Sequence, residues 1–306
     1  MFENREAELT GQYSIEQILA NPRFRAARNA LLQAMLEIYE YDSYLTRLLL
    51  PIGRNVLFNV VMCLHARHDP NDPATWPTLR LVKQAMAGFT VGSPRRVADI
   101  VSRLIKIGYL EQLEMPTDRR VRILRPTEKM IAQDQDWLVS HYMPLQVMFP
   151  EPGYGPIMRR DPVFQQTQRL VSASLFQLGA DLMARHPTMM QLMSREAGII
   201  IFIKLMHLAG PAGDAAHAVS YSDLGTRFGV SRTQVRKLLR EAEQNGLVHL
   251  VRDRDQFVQL TPKFIELFDA FIADSMVAHD ITFQLAQRAF AATTQQRSMQ
   301  KVPLPA

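Results

Sequence analysis

Arginine and lysine are concentrated on one side of two predicted helices, at a spacing suited to an anionic partner. In the second helix, which follows Ser231, apolar residues recur at helical spacing at Val235, Leu238, Leu239 and Ala242. Its first turn and its opposite side carry Arg232, Thr233, Gln234, Arg236, Lys237 and Arg240. Arginine can bind phosphate or guanine bidentately, and glutamine can bind adenine. These residues predict recognition of nucleic acid rather than catalysis.

The first helix of this kind follows Ser93, whose hydroxyl can cap the free amides of the first turn. Its inward side is predicted to carry Val97, Ile100, Val101 and Leu104. Its outward side and edges carry Arg95, Arg96, Asp99, Arg103 and Lys106. The first residues of a helix that enters the major groove approach the base edges. Arg95 and Arg96 are therefore predicted to set base choice, together with Gln234 of the second helix.

A β-hairpin rich in arginine is predicted after each basic helix. The first hairpin spans 113–123 and carries Arg119, Arg120 and Arg122 after its turn. The second has strands over 247–251 and 256–260, and its turn carries Arg252 and Arg254. We expect these arginines to contact phosphates or the minor groove. Such contacts add salt-sensitive affinity and little sequence information.

The elements that position these residues occur twice in the chain. The Asn-Pro-Arg-Phe sequence at 21–24 recurs as Asp-Pro-Val-Phe at 161–164. An apolar segment from Leu57 to His65 matches 199–207. Further along, Gly108 matches Gly246 and Pro126 matches Pro262, at offsets that drift only slightly from those of the earlier matches. Order and pattern together indicate two copies of one unit of roughly 110 residues.

Each unit is predicted to contain the same series of helices. A long leading helix, over 24–48 or 163–193, comes first, and a very apolar helix over 56–66 or 197–208 follows. A short helix then precedes each basic helix, over 78–87 in the first unit and 223–228 in the second. Gly108 and Gly246 are expected to end the basic helices as left-handed residues.

These patterns divide the chain into four segments. Proline and glycine accumulate between residues 144 and 156, which is typical of a linker, and few large apolar residues follow residue 291. The predicted segments are a first unit over 20–135, a linker over 136–160, a second unit over 161–290 and a disordered tail over 291–306.

The basic segment of the second unit resembles the DNA-binding segment of bacterial GntR-type regulators. The resemblance rests on Leu224-Gly225-x-x-x-Gly229-Val230-Ser231-Arg232-x-x-Val235-Arg236-x-x-Leu239, followed after six residues by Gly246-Leu247-Val248. The family usually has alanine at the position of Gly225 and an acidic or apolar residue near Lys237, so its base preference does not transfer.

The first unit, with its long helices and basic hairpin, resembles the MarR group of dimeric regulators. The two resemblances together cover residues 78–130 and 219–265. They imply a mainly α fold with small β-hairpin wings, that is, tandem winged helix-turn-helix units with long flanking helices.

Composition excludes several other classes of protein. Apolar residues make up 47% of the 306 residues, which excludes a wholly disordered chain. The single cysteine, Cys63, excludes an intrachain disulfide and a cysteine-rich metal site. The chain contains no GxSxG motif and no glycine-rich phosphate loop, so we expect no enzyme, cofactor or metal ion. The longest apolar stretch, 198–203, is far shorter than a ~20-residue membrane span, and a cytoplasmic protein without a membrane partner is expected.

The sequence favours a sequence-specific regulator of transcription that binds double-stranded DNA. Two recognition helices about one helical turn (~34 Å) apart would let one chain imitate a regulator dimer. A homodimer formed through the long helices and a small-molecule effector stay open. One alternative is a plasmid- or phage-type replication initiator, since such proteins also resemble tandem winged helices. Another is a non-catalytic scaffold. The operator and the sign of regulation do not follow from the sequence.

Overall fold

The computed structural model describes residues 11–89, 93–115, 118–210, 215–252 and 256–300, without the side chains at 118, 119, 252, 256 and 293–300. The described chain is mainly helical and contains two small antiparallel sheets. This agrees with the predicted class of a mainly α protein with β-hairpins.

The first unit begins with four helices and ends with a two-stranded hairpin and a long closing helix. Its elements are α1 (Ile15–Ala20), α2 (Phe24–Tyr39), α3 (Ser43–Leu49), α4 (Ile52–Ala66), a 3-10 turn (Pro73–Thr75), α5 (Leu79–Ala87), α6 (Pro94–Lys106), β1 (Leu110–Met115), β2 (Asp118–Pro126) and α7 (Glu128–Met148). The strands β1 and β2 are antiparallel, with Leu110 opposite Pro126.

The second unit repeats this order after the short helix α8 (Gly155–Met158). Its elements are α9 (Pro162–Ser172), α10 (Phe176–Arg185), α11 (Pro187–Ser194), α12 (Gly198–Leu208), β3 (His217–Ala218), α13 (Tyr221–Phe228), α14 (Arg232–Gln244), β4 (Val248–Arg252), β5 (Gln256–Leu260) and α15 (Pro262–Gln300). β3 adds a third strand in the order β3-β5-β4. The sequence did not predict β3, because two residues cannot show an alternating pattern.

The two leading helices are broken where the sequence predicted continuity. The helix predicted over 24–48 ends at Tyr39, and α3 begins after Asp42, whose side chain accepts a hydrogen bond from the Leu45 amide at 2.7 Å. The helix predicted over 163–193 is three helices, and the last begins at Pro187. An aspartate that caps a new helix and a proline without an N–H group both favour a fresh helix start.

The predicted linker and tail are largely helical. α7 runs through Asp136 and Pro144 to Met148, so only part of 136–160 is irregular. Leu138, Tyr142 and Leu145 of this helix are buried, and this packing offsets the ~3 kcal/mol that an interior proline costs. α15 continues to Gln300, since alanine, glutamine and arginine favour helix. Residues 301–306 lie outside the described residues.

The closing helices begin with equivalent threonines. The Thr127 hydroxyl donates to the Gly108 carbonyl at 2.7 Å, and the Thr261 hydroxyl donates to the Gly246 carbonyl at 2.8 Å. Pro126 lies just before the first threonine, whereas Pro262 lies just after the second. The sequence match at the prolines is therefore wrong by two positions, because the threonine hydroxyls, and not the prolines, make the shared contact.

The two units pack against each other reciprocally. Each leading helix, α2 or α9, lies on the closing helix of its own unit, α7 or α15. It also lies on the apolar helix of the other unit, so α2 contacts α12 and α9 contacts α4. The apolar helices are almost entirely buried, as Leu57 and Ile200 illustrate with 0% exposure. The core is therefore shared between the units rather than divided into two.

Buried ion pairs cross between the units in the same reciprocal way. Arg28 of α2 donates to Asp269 of α15 at 2.9 Å, and Arg169 of α9 donates from Nε to Asp134 of α7 at 3.0 Å. Arg28 corresponds to Arg169, and Asp134 corresponds to Asp269, each to within one position of the register set by the flanking repeats. A contact that occurs twice, with each half supplying each of the two residues once, is typical of a two-fold dimer. Here both halves belong to one chain.

A pair of stacked histidines lies where the two closing helices meet. The rings of His141 and His279 are 5.4 Å apart, and the Nδ1 of each ring donates to a backbone carbonyl one turn earlier in its helix. Burial lowers the pKa of His141 to about 3, with His279 acting in the same direction. Burial also lowers the pKa of His279 to about 4. Both rings are therefore neutral in the folded protein at neutral pH.

We expect the free energy of unfolding to fall as the pH drops from 7 to 5. Below pH ~6.5 the unfolded chain binds protons at these histidines that the folded chain does not bind, which costs about 2 kcal/mol for each ring at pH 5. Urea titrations at both pH values measure the change. The double variant His141→Gln, His279→Gln should lose most of the pH dependence. Equal pH dependence in the two proteins would contradict this origin.

Candidate nucleic-acid interface

The basic helix of the second unit starts as the sequence predicts. Gly229 follows α13 with a φ of +70°, and Ser231 then caps α14. The Ser231 hydroxyl accepts from the Gln234 amide at 3.1 Å, while the Gln234 side-chain carbonyl accepts from the Ser231 amide at 2.8 Å. This reciprocal capping box fixes the first turn of α14.

One side of α14 is buried and the other is exposed and basic. Val235, Leu238, Leu239 and Ala242 are buried, as predicted. The residues predicted to bind DNA are all exposed, namely Ser231, Arg232, Thr233, Gln234, Arg236, Lys237 and Arg240. In the part of the chain that the structure describes, Arg232, Arg236 and Arg240 form no ion pair, whereas Lys237 lies 3.9 Å from Glu241. Three arginines of α14 thus present uncompensated charge to solvent.

Capping changes what Gln234 can do at a base. Bidentate recognition of adenine needs the carbonyl oxygen as acceptor and the amide nitrogen as donor. The carbonyl oxygen of Gln234 is engaged with the Ser231 amide. In this conformation one acceptor position of the Gln234 carbonyl is already used, whereas the side chains of Arg232 and Thr233 have no hydrogen-bond partner among the described residues.

The basic helix of the first unit follows the same plan. The Ser93 hydroxyl accepts from the Arg96 amide at 3.3 Å, and Pro94 occupies the first helical position. Its inward residues Val97, Ile100, Val101 and Leu104 are buried. The predicted residues Ser93, Arg95, Arg96, Arg103 and Lys106 are exposed, and so is Asp99. Both basic helices, α6 and α14, therefore present the faces that the sequence predicted.

One of the hairpin arginines is less available than the sequence suggested. Arg122 forms an ion pair with Glu114 across the β1–β2 hairpin, so its charge is partly neutralised. Arg120 is exposed. The side chains of Arg119 and Arg252, and the whole of Arg254, lie outside the described residues. The sequence prediction considers only the arginines of the hairpin. The register of β1 against β2 places Glu114 opposite Arg122, which explains why Arg122 is paired.

Two further arginines lie beside the basic helices and were missed from the sequence. Arg54 lies at the start of α4, where burial lowers its pKa. The charge of Glu196 raises this pKa, and the charges of Arg103 and Arg96 lower it. Arg195 precedes α12 and donates to Glu241 of α14 at 3.0 Å. The sequence carries no signal for them, because neither lies on a basic helix and only the folded chain brings them beside α6 and α14.

The two basic helices flank one short segment of the chain. A cleft of about 930 Å³ extends from Ser93 and Arg96 of α6 to Ser194. A second cleft of about 340 Å³ extends from 194–196 to Gln234 and Lys237 of α14. Arg54 and Glu196 occupy equivalent positions and act on each other electrostatically. Because Ser194 lines both clefts, α6 and α14 border the same segment of the chain.

No family model and no curated protein matches this chain. Among the described residues, no three or more His, Cys, Asp or Glu side chains are grouped so that they could hold a metal ion. Within those residues no single helix is long and apolar enough to cross a bilayer, although α3 and α4, bent by 78°, reach that length and composition as a pair.

The turn before α14 depends on two glycines. An ideal Cβ on Gly225 would lie 2.6 Å from the Val230 carbonyl oxygen. This close approach accounts for the glycine at this position. An ideal Cβ on Gly229 would lie 2.6 Å from Cβ of Ser43, and the φ of Gly229 is +70°. Gly229 thus lets the turn pack against the start of α3 in the other unit.

Gly229→Ala should lower the free energy of unfolding by about 2–4 kcal/mol. The left-handed backbone costs ~1 kcal/mol for alanine, and the contact with Ser43 adds overpacking strain of ~1–3 kcal/mol. Gly246→Ala is the matched control, because Gly246 has a φ of +69° and its Cβ would approach only Lys263 Nζ, at 3.9 Å. Urea unfolding measures both. Equal losses in the two variants would show that the contact with Ser43 has no cost.

Proposed function

We propose that this protein is a sequence-specific transcriptional regulator that binds double-stranded DNA through two winged helix-turn-helix units in one chain. The observation that carries the proposal is the pair of serine-capped helices, α6 and α14, whose exposed faces are basic and flank one segment, 194–196. Catalysis has no part in it, and the partner that it requires is duplex DNA.

The order of elements in each unit supports a winged helix. A short helix, a basic helix and an antiparallel hairpin follow one another in both units, and in the second unit Gly229 forms a tight turn between the two helices. In the second unit β3 pairs with β5 and widens the hairpin into a three-stranded sheet. In the first unit the Leu124 amide of β2 donates to the Pro77 carbonyl at 2.9 Å, which places a backbone contact at the corresponding point.

The exposed residues divide into two roles at a duplex. A major groove ~12 Å wide admits one helix, whose first turn approaches the base edges. Arg95 and Arg96 of α6, with Arg232 and Thr233 of α14, are the residues placed for direct reading. Arg236, Lys237 and Arg240 lie further along α14 and are suited to phosphates. We propose that both helices contact one duplex, since both border the segment 194–196.

Selection of genomic fragments by the purified full chain tests this function. The selection is made at ~50 mM and ~200 mM salt, because phosphate contacts weaken steeply over this range. Enrichment of discrete sites near promoters at both concentrations is the expected result. An array of sites confined to a replication origin would favour the initiator instead. No enrichment at the lower concentration would contradict DNA binding and favour a scaffold.

A further inference from the structure

The two basic helices keep the same buried positions. Ser93 and Ser231 begin them, Gly108 and Gly246 follow them, and one common offset relates both pairs. At this offset the inward residues Val97, Ile100 and Val101 correspond to Val235, Leu238 and Leu239, all of them buried. Both helices therefore dock on their own units in the same way. Any difference between them lies on the face that they present to solvent.

The exposed positions of the two helices have diverged completely in chemistry. Arg95 and Arg96 in the first turn of α6 correspond to Thr233 and Gln234 in α14. Further along, Asp99 corresponds to Lys237, and Arg103 corresponds to Glu241, so the sign of the charge is reversed at both positions. Two faces that differ in donors and in charge cannot prefer the same base pairs or the same phosphate positions.

The framework that holds these helices is nevertheless dimer-like. Each leading helix packs on the apolar helix of the other unit, since α2 contacts α12 and α9 contacts α4. The crossed ion pairs of Arg28 and Arg169 repeat this arrangement. The equivalent positions 54 and 196 are also chemically unequal, because one carries arginine and the other glutamate. In a true homodimer both positions would carry the same residue, and the DNA site would be a palindrome.

We propose that one chain recognises an asymmetric DNA site, made of two different half-sites in inverted arrangement, and binds it in a single orientation. This inference rests on the proposed DNA-binding function and specifies its substrate. One half-site is read by α6 and the other by α14. Reversal of the duplex would bring Asp99 to the phosphates that Lys237 contacts, and would place Thr233 where Arg95 reads a base.

Selection from a random duplex library tests the inference, with one bound chain per duplex verified by sedimentation. The expected motif lacks a dyad between its two halves. Two synthetic palindromes, each with one half-site duplicated, should bind at least ~10-fold more weakly than the selected site in gel-shift competition. A palindromic motif bound by one chain, or equal affinity for a synthetic palindrome, would overturn the inference and leave the proposed function standing. No enrichment of any duplex would instead contradict the proposed function.

A helix-face exchange gives a second measurement. A variant is made in which α6 carries the outward residues of α14, with the substitutions Pro94→Arg, Arg95→Thr, Arg96→Gln, Ala98→Arg, Asp99→Lys, Ser102→Arg and Arg103→Glu. Its buried residues are unchanged, and circular dichroism verifies its fold. This variant should now prefer the palindrome of the α14 half-site over the wild-type site. An unchanged preference would contradict the assignment of half-sites to α6 and α14, and the wild-type competition stands whether or not the variant folds.

Discussion

Replacement of Arg236 and Arg240 by alanine should weaken duplex binding by about 10- to 100-fold at ~0.1 M salt. Both residues are exposed on α14, and neither forms an ion pair among the described residues. Each phosphate contact releases about 0.9 counterion from B-DNA, so the slope of log affinity against log salt should become shallower by about 2. Fluorescence anisotropy over a salt series measures affinity and slope together.

A charge-matched variant separates this effect from the loss of net charge. Arg23 precedes α2 and Arg288 lies near the end of α15, and both are exposed and outside the basic helices. Arg23→Ala with Arg288→Ala removes the same two charges and should change the slope little. If both double variants lost affinity equally, Arg236 and Arg240 would contribute to DNA binding only through the net charge of the protein. If neither lost affinity, the regulator proposal would fail.

The local features of the interface were predictable from the sequence because they depend on neighbours within one helical turn. Ser93 and Ser231 cap the amides three residues later. The spacing of apolar residues identified which side of α6 and α14 is buried. Gly246 adopts the left-handed backbone that its place after α14 predicted. Each of these features requires only side-chain chemistry and a helical repeat of about 3.6 residues.

Features that depend on distant residues were not predictable in this way. Arg54 resembles any helical arginine in the sequence, and only the folded chain places it beside α6 and opposite Glu196. The sequence predicts that Arg122 is available to contact DNA, but the register of the hairpin places Glu114 beside it. Pro144 suggested a linker, yet tertiary packing holds it inside α7. In each case contacts across many residues outweighed the local preference.

The reciprocal packing of the two units has the same long-range origin. Arg28 and Asp269 are 241 residues apart, and no periodic pattern connects them. The duplication predicted that two similar units exist, but it did not predict that their leading helices would be exchanged. The exchanged helices join the two units that carry α6 and α14, so the crossed ion pairs bear on the spacing of the two basic faces.

Asp134→Asn should lower the free energy of unfolding by about 3–5 kcal/mol. Asp134 is 0% exposed and Arg169 only 6%, so the substitution leaves a buried guanidinium without a counter-charge. Gln165 also donates to the Asp134 carboxylate at 2.7 Å, and this charge-assisted bond would weaken too. Urea unfolding gives the loss. Asp136→Asn is the matched control two residues away, because its ion pair with Arg160 is about half exposed and should contribute ~0–1 kcal/mol.

The double variant Asp134→Leu, Arg169→Met distinguishes the charge from the packing at this position. Removal of both partners leaves no buried charge, so the variant should regain most of the stability lost by Asp134→Asn. Its DNA affinity then reports on geometry, since neither residue is exposed to DNA. If the crossed ion pair only supplies stability, duplex affinity returns with it. If the ion pair also sets the relation between α6 and α14, a stable double variant should bind single half-sites normally and the full site more weakly.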